Sequence, residues 1–152
     1  MFGLSARETL VRAIKNACRN EIGVYKSAIM KYAETDTESS ADEIHQHGIQ
    51  AKKEYTIAVL DAMMASFRVS SQGINARIRM ILWDPRITGI PNEFNSKYFE
   101  DNGYSAGITY AICYFAVTNK KITPRKDYQI ISMLNHYQSK LMDEAIDELE
   151  ET

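Results

Sequence analysis

Apolar residues recur at intervals of three and four along most of this chain, and that spacing predicts helices. Leu10, Ile14, Ala17, Cys18, Val24, Tyr25, Ala28, Ile29 and Tyr32 form one broad stripe when wound at about 100° per residue. Ser5-Ala6-Arg7-Glu8 opens the stripe as a capping box, so the pattern predicts a single long helix over residues 6–33. Residues 34–40 carry no apolar side chain and predict an acidic loop. A second capping box, Ser40-Ala41-Asp42-Glu43, starts the next helix. Ile44, Gly48, Ala51, Tyr55, Ala58, Val59 and Ala62 make its stripe, while Ile57, Leu60, Met64 and Phe67 cover the opposite side. A helix apolar all round belongs at the centre of a bundle, and Gly48 among alanines predicts close approach of a neighbour.

Further along, Ser70-Ser71-Gln72-Gly73 punctuates the chain, and Ile74, Ile78, Ile81 and Leu82 predict a shorter helix. Trp83-Asp84-Pro85 ends it, because the residue before a proline is pushed out of the helical region. Residues 84–104 mix prolines, glycines and asparagines with Phe94, Tyr98 and Phe99, and predict a long irregular loop. Loops of that length within a compact domain are usually functional or disordered. Ser105 to Thr118 is strongly apolar and predicts a buried helix stopped by Asn119-Lys120-Lys121. Thr123-Pro124 starts the last helix, with proline at its first position. That helix carries Ile131, Leu134, Leu141, Met142, Ala145 and Leu149 on one face. No useful β-alternation and no repeat appears, so residues 1–152 read as one all-α domain, a bundle of five to six helices.

Composition narrows the class. The 152 residues suffice for one domain with its own core. Hydrophobic content of 45% exceeds that of disordered chains, and two cysteines are too few for a disulfide scaffold. A formal net charge of -2 argues against a general nucleic-acid coat, which needs a basic surplus. The opening Met1-Phe2-Gly3-Leu4-Ser5 runs straight into charged residues without the apolar core of a secretory signal, so a cytosolic chain is expected. No apolar run reaches the roughly 20 residues that a bilayer span needs.

Candidate chemistry is sparse. Cys18 and Cys113 lie in apolar contexts without partners at metal-ligand spacing, and read as buried free thiols. His45 and His47 point about 200° apart on a helix and read as two surface histidines rather than metal ligands. Glu43 and His47 share a face, but two ligands do not make a site. His136 lies opposite the last apolar stripe and faces outward. Gly103 to Gly107 lacks the Lys-Ser/Thr ending of a phosphate loop, and its glycine spacing predicts helix contact instead. Glu21 falls on the first helix's apolar face, where a carboxylate is costly unless paired; either the bundle is open there or Glu21 pairs with an arginine such as Arg77 or Arg79. Gln138 occupies a similar place on the last helix. A buried polar pair that fixes register is the expectation, and an enzyme or ligand site around Glu21 and Gln138 is the competing reading. No cofactor and no metal is expected.

The acids are the most uneven feature. Glu34, Asp36, Glu38, Asp42 and Glu43 run with no lysine or arginine among them, and Asp143, Glu144, Asp147, Glu148, Glu150 and Glu151 close the chain. Acids oppose the dipole at a helix C-terminus, which predicts fraying over residues 143–152. Such surfaces suit a basic partner, and Trp83, Phe94, Tyr98, Phe99 and Tyr104 supply anchor side chains.

A short helical chain with this opening, acidic patches and no catalytic motif resembles bacterial immunity proteins of contact-dependent inhibition and other polymorphic toxin systems. The resemblance implies a non-enzymatic cytosolic protein that binds a basic toxin domain, often a nuclease, and occludes its active site. Asp84, Glu93, Phe94, Tyr98, Glu100 and Asp101 are the expected contacts, with Glu34, Asp36, Glu38, Asp42 and Glu43 second. Two alternatives use other residues. Residues 70–80, with Gln72, Asn75 and Arg77, fit a helix-turn-helix DNA reader, and the last helix fits an oligomeric scaffold.

Overall fold

The computed structural model describes residues 5–34, 40–67, 72–83 and 105–151, and all regular structure among them is helical. In chain order the helices are α1 (Ala6–Asn20), α2 (Ile22–Ala33), α3 (Ala41–Phe67), α4 (Gln72–Trp83), α5 (Ala106–Thr118) and α6 (Pro124–Glu150). The all-α bundle predicted from periodicity is therefore present. The expected loop over 84–104 lies outside the described residues, as do residues 35–39 of the one expected over 34–40.

Pairwise contacts fix the directions. Arg7 meets Asp127, Arg19 meets Tyr137 and Lys26 meets Glu148, partners always 118 to 122 residues apart. A constant offset means that α6 runs parallel to α1 and α2. Gly107 meets Asn135 and Tyr110 meets Asp127, so α5 runs antiparallel to α6. Tyr55 meets Cys18 and His47 stacks on Tyr32, so α3 runs antiparallel to α1 and α2. The bundle thus has two rods up, α1–α2 and α6, and two down, α3 and α5, with α4 packed on α5 and α3.

Capping marks the helix starts as the sequence predicts. Ser5 Oγ accepts from the Glu8 amide at 3.2 Å, and Ser40 Oγ accepts from the Glu43 amide at 3.2 Å. Asn119 ends α5 in the left-handed conformation (φ 59°), which asparagine tolerates better than most residues.

The structure corrects four expectations. First, the helix predicted over 6–33 is interrupted at Glu21, whose φ of -99° and ψ of 7° leave the α region. Asn20 and Gly23 flank the break, and both are weak helix formers. Second, the central helix is α5 rather than α3. Ten of its 13 residues are buried, whereas on α3 Ile44 is 46% exposed and Ile57 is 40% exposed. The second apolar side of α3 instead borders a cavity of about 220 Å³ shared with Ile108 and Ile112 of α5. Third, nothing approaches Gly48, and the close contact is at Gly107. A Cβ there would sit 2.6 Å from both Ile131 Cγ2 and the Ile131 carbonyl oxygen. Gly107 thus makes a helix contact, while Gly103, the other glycine of that spacing, lies outside the described residues. Fourth, the acidic end of α6 stays helical to Glu150. Buried Ala145 and half-buried Ile146 and Leu149 hold its last turns against the bundle, outweighing the unfavourable dipole.

Candidate functional site

Helix direction decides where the charges go. Because α2 and α6 are parallel and α3 returns antiparallel, the end of α2, the start of α3 and the end of α6 share one end of the bundle. Glu34, Asp42 and Glu43 are exposed there, and so are Asp143, Glu144, Asp147, Glu148, Glu150 and Glu151. Two acidic groups more than 90 residues apart in the chain thus lie toward the same end of the bundle. The carbonyl ends of α2 and α6 add partial negative charge to it. Asp42 and Glu43, in the first turn of α3, are favourably placed against that helix's own dipole. On this face Lys26 is paired with Glu148, and further along Lys31 is paired with Glu54 at 3.2 Å. Both remain solvent-accessible, so each pair contributes little to stability.

The opposite end carries a buried carboxylate that the sequence reading missed. Asp127 is fully buried and accepts from Arg7 Nε at 2.8 Å and Arg7 Nη2 at 3.2 Å. It also accepts from the Tyr110 hydroxyl at 2.6 Å, the Thr123 amide at 2.6 Å and the Thr123 hydroxyl at 3.0 Å. Burial alone would raise the Asp127 carboxyl. The hydrogen bonds from Arg7, the Thr123 amide, Tyr110 and the Thr123 hydroxyl outweigh it and hold the group at about 2. Burial and the same hydrogen bond push the Tyr110 hydroxyl up, so it remains a donor at neutral pH. Arg7 lies over the Tyr114 ring, 4.9 Å from its centroid, which fixes the guanidinium from a third side. A signal for Asp127 was present: it falls on the same stripe as Ile131, Leu134 and Gln138.

A second polar cluster sits where the buried start of α5 meets α6. Unpaired N–H groups at a helix start need acceptors, and water is excluded here. Gln138 Oε1 accepts from the Ala106 amide at 2.9 Å, Asn135 Oδ1 from the Gly107 amide at 2.8 Å, and Ser105 Oγ from the Ile108 amide at 3.3 Å. Gln138 Nε2 in turn donates to Thr56 Oγ1 of α3 at 2.8 Å. Gln138 is buried as expected, but its partners are α5 and α3. Glu21 is half-exposed in the joint between α1 and α2, and none of the ion pairs among the described residues joins it to Arg77 or Arg79. No hydrogen bond among the described residues joins Glu21 to Gln138.

The remaining candidates divide simply. Asp84, Glu93, Phe94, Tyr98, Glu100, Asp101, Asp36 and Glu38 lie outside the described residues, as do Phe99, Tyr104, Ser70 and Ser71. His45 is exposed, while His47 is half-buried and stacks on Tyr32 with centroids 4.6 Å apart, a correction to the expected surface position. His136 is exposed. Cys18 and Cys113 are buried free thiols, pushed up by burial to about 11 and about 12. Both stay protonated at neutral pH and are poor nucleophiles. On α4, Ile78 and Ile81 are buried and Arg79 is exposed. No helix among the described residues is long and apolar enough to cross a membrane. Neither a family model, nor a characterised protein, nor a solved structure matches this chain.

Proposed function

We propose that this protein is a non-enzymatic cytosolic binding module that captures a basic protein on its acidic end. The reading extends to an immunity role, in which the partner is a toxin nuclease domain whose cationic active site is covered. One observation supports it: nine exposed acids from the end of α2, the start of α3 and the end of α6 lie toward one end of the bundle. Carboxylates placed this way would pair with lysine, arginine or histidine of the target and would accelerate encounter electrostatically. The rods behind them share a core, which lowers the ordering cost of binding.

The test uses a panel of purified cationic nuclease domains and the full chain. Wild-type protein should bind one of them, weaken steeply with salt, and protect cells that express it. Charge reversal of three exposed acids, Asp143→Lys, Glu144→Lys and Asp147→Lys, should weaken that binding about 100-fold, at roughly 1 kcal/mol per charge. Binding indifferent to both salt and the triple reversal, or no inhibition of any nuclease in the panel, would sink the reading.

A further inference from the structure

A second charged feature lies at the other end, along the seam between α1 and the start of α6. The groove there has a volume of about 480 Å³, within the size range of small-molecule pockets. Arg7, Arg12, Lys15 and Lys126 line it, over an apolar floor of half-buried Val11 and Ile130. Against these four cations stand two carboxylates, Glu8 on the wall and Asp127 beneath, which leaves a local surplus of two positive charges in a chain of net charge -2.

The cations are of two kinds. Arg7 is clamped by Asp127 through Nε and Nη2 and lies over Tyr114, leaving Nη1 of its fork unused by those bonds. Lys15 is held with its Nζ 5.3 Å from the Tyr137 ring centroid. These two are positioned before any ligand arrives, which lowers the ordering cost of binding. Arg12 and Lys126 are exposed and have no acidic partner among the described residues. They are able to close on an anion from either helix. The starts of α1 and α6 add partial positive charge to the same seam.

We infer that this groove is a binding site for a small organic phosphate. The phosphate would lie between Arg12, Lys15 and Lys126 with Arg7 at its back, and the organic portion on Val11 and Ile130. A guanidinium matches two phosphate oxygens at once, and ammonium groups add charge without demanding geometry. The groove's limited volume and apolar floor favour a compact ligand over a nucleic-acid strand. The acidic surface at the opposite end of the bundle directs anions toward this seam.

The site is tested by amide-resolved NMR titration of the full chain with pyrophosphate, adenosine monophosphate, citrate and a short single-stranded oligonucleotide. Pyrophosphate and adenosine monophosphate should saturate, with shifts centred on Val11, Arg12 and Lys15, and adenosine monophosphate should also perturb Ile130. Arg12→Glu combined with Lys126→Glu should weaken both by at least about tenfold through loss of charge-assisted hydrogen bonds. Arg79→Glu, on exposed α4, should leave both unchanged. Matching unfolding midpoints will separate lost binding from lost folding. The proposal is overturned if no phosphate probe saturates, if the double variant binds as well as wild type, or if citrate binds equally. Tighter binding of the oligonucleotide than of adenosine monophosphate overturns it in favour of a nucleic-acid surface.

Discussion

Two polar clusters pin α6 into this bundle, and they solve burial in different ways. Around Asp127 the solution is ionic: one carboxylate takes five hydrogen bonds, two of them from Arg7. Around Gln138 it is neutral: two side-chain amides and a hydroxyl satisfy the first amides of α5. The ionic cluster joins the first helix to the last, while the neutral one joins neighbours in sequence to α3. A charged cluster is strong only while every partner is present, because losing one strands a buried charge. A neutral cluster loses one hydrogen bond at a time and ignores pH.

The contrast is broken most severely by removing the carboxylate. Asp127→Ala leaves Arg7, the Tyr110 hydroxyl and the Thr123 amide without their acceptor, and should lower stability by about 3–5 kcal/mol. Chemical denaturation of the variant against wild type measures this directly. A smaller effect comes from titration. The folded Asp127 carboxyl lies at about 2 against an ordinary 3.8, so its stabilisation is complete above the ordinary value and lost as pH falls toward 2. That difference is worth about 2 kcal/mol. Unfolding followed between neutral pH and pH 2 should show the loss in wild type and not in Asp127→Asn. The neutral cluster should respond least. Gln138→Leu leaves the Ala106 amide without its acceptor and removes a donor to the Thr56 hydroxyl, and should cost about 1–3 kcal/mol, with no added dependence on acid pH. A Gln138→Leu variant that loses stability in acid faster than wild type would show that the clusters are not independent.

How much of this was legible in the chain depended on range. The capping boxes at Ser5 and Ser40, the buried apolar run of α5 and the two inert thiols are local patterns, and local physics sets them. The break at Glu21 was not legible, because the apolar stripe continues on both sides and only the low helix propensity of Asn20 and Gly23 marks it. Which glycine touches a neighbour was not legible either. Gly48 and Gly107 look alike in sequence, but only the latter faces Ile131 of a packed helix. Composition marked α3 as central on account of residues such as Ile57, yet hydrophobicity does not say which helix the others surround. Both acidic groups were visible as runs, whereas their meeting at one end followed from helix direction, which no run of residues records. The burial of Asp127 was signalled by its place on the stripe of Ile131 and Leu134, whereas its partner Arg7, 120 residues away, was not.

The parallel pairing of the first and last rods has a consequence for how the molecule forms. α1 has the sequence of an early, self-starting helix, with its capping serine and regular stripe. Its ionic contact waits for residue 127, so closing it spans most of the chain. Loop-closure entropy for such a contact is spent before the contact returns anything. The antiparallel neighbours α2–α3 and α5–α6 close far shorter loops and are the natural first associations. A ribosome therefore releases α1 long before its final neighbour exists, and the native bundle is sealed only when the two terminal rods come into register.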